Sequence, residues 1–158
     1  MAYISARGTA SATLILALAV SPGASLRAAE TSSTNSAGSL EVTVTNVKNN
    51  KGVIRLAICG PDSGFPNCND DAVRTAILKI NEGMAEARFT DIPVGTYAVS
   101  VFHDSNANGK LDTMLGIPRE GYGFSGNPPF RPRAPRFDEA QIEIRNDTKA
   151  TIKLRYLL

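Results

Sequence analysis

Residues 96–112, TYAVSVFHDSNANGKLD, decide how the rest of the chain is to be read. Tyr97, Val99 and Val101 alternate with Thr96, Ala98 and Ser100, the period of a β-strand with one apolar face. The alternation stops at His103-Asp104, where oxygen-bearing side chains recur at every second position. Asp104, Asn106 and Asn108 stand at positions 1, 3 and 5 of the loop pattern that holds hard cations, Gly109 at the sharp turn of position 6, and Asp112 at position 9. With the Lys110 carbonyl as a further oxygen, Asp104, Asn106, Asn108 and Asp112 form a candidate Ca²⁺ site. Position 12, normally a bidentate Glu, is Leu115. Glu120, the next acid, would close the site only if residues 113–119 fold back. Such a donor set implies weak binding, with a Kd of roughly 10⁻⁴–10⁻³ M. An ion-free reading also stands, because Asp and Asn tolerate left-handed backbone and form Asx-turns, which makes Asn108-Gly109 a tight turn.

Outward from this stretch the chain reads as short strands punctuated by turn residues. Residues 40–47 alternate apolar and polar, and residues 53–58 follow after Asn49-Asn50-Lys51-Gly52, so the two are expected to form a hairpin. Residues 72–80 and 84–89 flank Asn81-Glu82-Gly83 as a second hairpin. Residues 141–144 and 151–156 surround Arg145-Asn146-Asp147-Thr148 as a third. About seven strands with no helical period between them predict an all-β domain, a single antiparallel sandwich of transthyretin or immunoglobulin type with one long loop over residues 104–139.

That loop carries a second candidate surface. Residues 121–137, GYGFSGNPPFRPRAPRF, mix aromatics, prolines and arginines. Tyr122 and Phe124, with Phe130 and Phe137 and the cations Arg131, Arg133 and Arg136, would stack on a sugar or hold an anionic polymer or lipid head group. The same composition suits aromatics that pin an extended, proline-directed segment onto the sandwich while the arginines stay in water.

Arg7 precedes an apolar run, residues 14–20, and then Pro22, Gly23, Ala24 and Ser25. A short basic segment, a short apolar core and small residues are the marks of a secretory signal peptide, here residues 1–29; the core is too short to span a bilayer. Residues 30–39 are polar and read as a flexible lead-in, leaving 40–158 as one domain. No later segment is apolar enough to cross a membrane. The expected location is therefore periplasmic or extracellular. Of the chain's 17 basic side chains, Arg7 and Arg27 fall in the signal segment, leaving 15 against 15 acids. A neutral domain lacks the basic field of a nucleic-acid binder. Cys59 and Cys68 bracket the turn-rich GPDSGFPN, and outside the reducing cytoplasm a local disulfide is expected.

Three features together resemble a known group: the strand Gly95-Thr96-Tyr97-Ala98-Val99, the run Val101-Phe102-His103-Asp104 with its Asn-x-Asn-Gly-Lys-Leu-Asp loop, and residues 116–125, GIPREGYGFS. They are similar to those of small exported bacterial proteins grouped as a domain of unknown function, over about residues 40–157. The group implies no mechanism. Residues 91–120 are also similar to the transthyretin-like repeat domains of bacterial surface adhesins, whose DxNxNGxxD loops bind calcium.

Catalysis needs a base beside a nucleophile. His103 is the chain's only histidine, and its neighbour Asp104 points to the opposite face of a strand. Ser125 would have to approach from the long loop. The expected function is thus a non-catalytic module of the cell envelope, binding or structural, whose partner is a glycan, lipid or protein. The alternatives are a small hydrolase using His103 and a carrier of a small apolar ligand.

Overall fold

The computed structural model describes residues 36–68 and 70–158; the expected signal peptide and most of the lead-in lie outside the described residues. Among the described residues ten strands and one helical turn follow in order: β1 Ala37–Thr45, β2 Val53–Cys59, β3 Arg74–Leu78, β4 Ala85–Pro93, β5 Gly95–Asp104, β6 Thr113–Met114, β7 Ile117–Pro118, β8 Tyr122–Phe124, α1 Phe137–Ala140, β9 Gln141–Ile144 and β10 Asp147–Lys153. β1 begins at Ala37, so the last residues of the polar 30–39 segment are already strand.

Two sheets carry the fold. One has the order β10-β1-β4; the other has the order β3-β2-β5-β8, with β9 pairing with β5 beyond the end of β8. The alternating apolar positions face inward from both: Leu40, Val42 and Val44 of β1 meet Ile54, Leu56 and Ile58 of β2, together with Tyr97, Val99, Val101, Ile144 and Ile152, in one core. This is the expected all-β sandwich with a single interior. Its pairing is antiparallel except where β1 and β10, the first and last strands, run parallel.

The three expected hairpins are corners instead. β1 and β2 lie in different sheets, as do β3 and β4, and β9 and β10. Alternation shows that one face of a strand is buried, and a turn residue shows that the chain reverses; neither says whether the returning strand lies beside its predecessor or across the core from it. At the first corner Asn46 takes a left-handed φ of 62° and Val47 turns inward to plug the end of the core. The Val47 N–H then donates to the Gly83 carbonyl at 3.1 Å, tying the first corner to the second.

The 104–139 stretch is more ordered than the long loop expected from sequence. It holds the β6–β7 hairpin, strand β8 and the single turn α1. β8 reads Tyr-Gly-Phe, and its glycine is required by the opposite layer: a Cβ on Gly123 would sit 2.8 Å from Ile152 Cγ2 and 3.1 Å from the Lys153 carbonyl oxygen. Cys59 and Cys68 form the expected disulfide, with Cα atoms 5.8 Å apart. It packs with Ala57, Phe65 and Ala72 as a small second cluster apart from the main core.

Candidate functional site

Strand β5 sorts its side chains strictly. Tyr97, Val99, Val101 and His103 point inward, while Ser100, Phe102 and Asp104 point to the outer face of the five-stranded sheet. Asp104 is nonetheless fully buried, because the following loop folds over it. Its Oδ1 accepts the Asn108 N–H at 2.9 Å, and its Oδ2 accepts the Gly109 N–H at 2.8 Å and Arg55 Nε–H at 2.6 Å. Arg55 reaches it diagonally from β2, where it is paired with Phe102. Burial pushes the Asp104 carboxyl up, but the Arg55 hydrogen bond and the Gly109 and Asn108 amides outweigh it and leave the group below the usual carboxylate value.

The asparagines complete a closed ring of bonds. Asn106 Oδ1 accepts from the Asn108 N–H at 3.2 Å, and Asn108 Oδ1 from the Lys110 N–H at 2.8 Å, each an Asx-turn. Their Nδ2 groups donate to the two oxygens of Asp112, both at 2.9 Å. Residues 113–118 do fold back, as the β6–β7 hairpin, and bring in Glu120. The buried Glu120 carboxylate takes the Ser105 N–H and hydroxyl on Oε1 at 2.8 and 2.7 Å and the Asp112 N–H on Oε2 at 3.0 Å. Among the described residues every buried side-chain nitrogen and oxygen has a partner.

Asp104, Asn106, Asn108, Lys110 and Asp112 are thus gathered into one loop, as the spacing implied. As arranged, they do not fit a calcium ion. The oxygens that a cation would need accept N–H groups of the chain, both asparagines turn NH₂ rather than oxygen to Asp112, and the positive charge beside Asp104 is the Arg55 guanidinium. Among the described residues no three His, Cys, Asp or Glu side chains converge as metal ligands. Arg55 had no signal in the sequence, where it is one polar position in an alternating strand.

His103 sits at the inner end of β5 with both ring nitrogens occupied. Nε2–H donates to the Lys51 carbonyl at 2.7 Å, and Nδ1 shares a hydrogen bond of 3.0 Å with the Tyr156 hydroxyl. Ser125 lies elsewhere: its hydroxyl donates to the Ala140 carbonyl and accepts the Val99 N–H at 2.8 Å. Val99 is four residues from His103 along an extended strand, about 13 Å. The structure does not bring the two together.

Tyr122 and Phe124 stand side by side on β8, their rings 5.8 Å apart, and Phe65 packs edge-on against Phe124 at 5.7 Å and Phe137 at 6.2 Å. These aromatics do pin the segment to the sheet, yet Tyr122 and Phe124 stay half exposed and line two adjoining clefts. One, of about 390 Å³, lies over Arg55, Ser100, Phe102 and Leu111. The other, of about 650 Å³, reaches Ile117, Phe130, Arg131 and Arg133. Arg133 binds Glu139 through both guanidinium nitrogens at 2.7 and 2.8 Å, with Arg131 at 3.7 Å. Arg133 and the Arg136 N–H hold Glu139 down at about 2, so the carboxylate stays ionised and offsets only one of the two arginines.

No curated protein and no solved structure matches the chain. A family profile does, over residues 42–153, and its description is "Uncharacterized protein conserved in bacteria (DUF2141)". The match takes in both sheets, the 104–120 loop and the aromatic strand, and the chain belongs to that family.

Proposed function

We propose that this protein is an exported, non-catalytic binding module of the cell envelope, whose ligand lies on the outer face of the five-stranded sheet. The observation that carries this reading is the pair of clefts meeting at Tyr122 and Phe124, with Arg131 and Arg133 on the rim. Their sizes fall within the range of small-molecule sites. Two half-buried aromatic rings line the clefts and suit an apolar or sugar ring, and the excess guanidinium charge suits an anionic group on the same molecule. Export draws on the signal-like residues 1–29 and on the disulfide, which belongs to an oxidising compartment. The 104–120 loop serves as the rigid wall of this surface, closed by Arg55 in the place of a metal ion. No observation favours hydrolysis, since His103 and Ser125 are each held by other partners.

The test is a fluorescence titration with 1-anilinonaphthalene-8-sulfonate, which joins an apolar ring system to an anionic group. Saturable binding is expected, weakened about tenfold in Tyr122→Ser and again in the Arg131→Glu/Arg133→Glu double variant. Equal titrations in all three proteins would remove this surface from the proposal. Native mass spectrometry of protein purified without detergent then identifies any cargo.

A further inference from the structure

The β6–β7 hairpin presents an anomaly unrelated to closing the loop. Met114 pairs with Ile117, and the two residues between them, Leu115 and Gly116, have φ of 52° and 78°. Both are left-handed, the signature of a type I′ turn, for which Asn-Gly is the favoured pair. Leu at the first position is disfavoured by its backbone, and here its side chain is 96% exposed. The leucine makes no packing contribution that would repay either cost within this chain. Met114 and Ile117 beside it are also exposed, and the neighbouring cleft continues the apolar surface to Phe130, Leu157 and Leu158, all exposed.

Charge says what the tip meets. Arg131 and Arg133 share the cleft, Lys110 and Arg119 flank the hairpin in sequence, and all four are exposed. Of the acids in this region, Glu120 is buried in hydrogen bonds, Asp112 is held by two asparagine amides, and Glu139 offsets one of the two arginines, which leaves the rim with an excess of positive charge. A protruding apolar point ringed by cations is shaped for an anionic lipid surface: side chains such as Leu115 enter the acyl boundary while Arg and Lys meet the head groups. We infer that the β6–β7 tip, with Leu115 at its point, docks the protein peripherally on an anionic bilayer. Among the described residues no helix is long and apolar enough to cross a membrane.

This inference goes beyond the ligand surface proposed above, and the two separate experimentally. Leu115→Asn suits the turn better than leucine, so its melting temperature should equal or exceed the parent's. The protein, its Leu115→Asn variant and its Arg131→Glu/Arg133→Glu variant are sedimented with vesicles of phosphatidylcholine alone or with phosphatidylglycerol added. The parent should pellet only with phosphatidylglycerol and be released by salt, and Leu115→Asn should lose at least tenfold in vesicle affinity, about what burying one leucine confers, while its titration with the naphthalene sulfonate is unchanged. Equal pelleting of parent and Leu115→Asn would overturn the inference. So would equal pelleting on both lipid compositions, or a vesicle-independent dimer that Leu115→Asn dissolves.

Discussion

Replacing Asp104 by Asn tests the loop where its bonds are densest. The substitution keeps size and shape but removes the charge and turns one oxygen into an NH₂ donor. Asp104 accepts three hydrogen bonds in the parent, one of them from a guanidinium at 2.6 Å. Hydrogen bonds to charged groups contribute about 1.5–3 kcal/mol each, and breaking one side of a buried ion pair costs about 3–5 kcal/mol. Arg55 keeps access to water, with 30% of its side chain exposed, which places the loss near the low end, about 3 kcal/mol. For a domain of this size that lowers Tm by about 12 °C. The pH dependence follows from the sign of the carboxyl's shift. Its folded value lies below the ordinary one, so its stabilisation is fully present above about pH 4 and is lost as pH falls through the depressed folded value. Melting followed by circular dichroism should therefore show a wide gap between parent and Asp104→Asn at pH 7 that narrows steadily in acid. A gap under about 3 °C at pH 7, or one that stays constant into strong acid, would refute the role given to the carboxylate. Arg55→Met should cost less alone and add little in the Asp104→Asn background, as expected of two members of one pair.

Other outcomes follow from neighbouring contacts. Glu120→Gln puts an NH₂ against an N–H donor from Ser105 or Asp112, and should lower stability by about 2 kcal/mol in urea denaturation. Gly123→Ala forces a methyl against Ile152 and the Lys153 carbonyl; a loss of about 1–3 kcal/mol is expected by the same assay, and a neutral result would show that the two layers separate freely there. Replacing Cys59 and Cys68 by serine removes a nine-residue separation closure and should cost about 2–3 kcal/mol, the same as reducing the parent with a thiol.

The chain's alternation was enough to locate seven strands, though the last lies at Asp147–Lys153 rather than 151–156 and takes in Asp147 and Thr148 of the expected turn, because burial on one face imposes a period of two wherever it occurs. It could not assign those strands to sheets. Leu40-Val42-Val44 and Ile54-Leu56-Ile58 show the same pattern whether they lie side by side or face each other, and only the inward turn at Val47 distinguishes the cases. β8 has no apolar alternation to mark it, because its inward position is Gly123, required by the close approach of Ile152, and Gly121 just before it lies against Tyr156. Within the loop, Asp104, Asn106, Asn108 and Asp112 are joined by hydrogen bonds to one another and to backbone N–H groups. The cation that balances Asp104 comes from a residue 49 positions earlier, a long-range contact with no local trace. The exposure of Leu115 has no trace in the sequence, since it depends on a hairpin whose two-residue strands are too short to show alternation.

The most direct measurement of the loop's character is a pair of thermal melts of the whole protein, one in millimolar CaCl₂ and one in a chelator. With Arg55 closing the Asp104 site, the two curves should coincide within error, and Asp104→Asn should lie equally far below both. A rise of several degrees in calcium that vanishes in Asp104→Asn would contradict that assignment and make the loop a metal site.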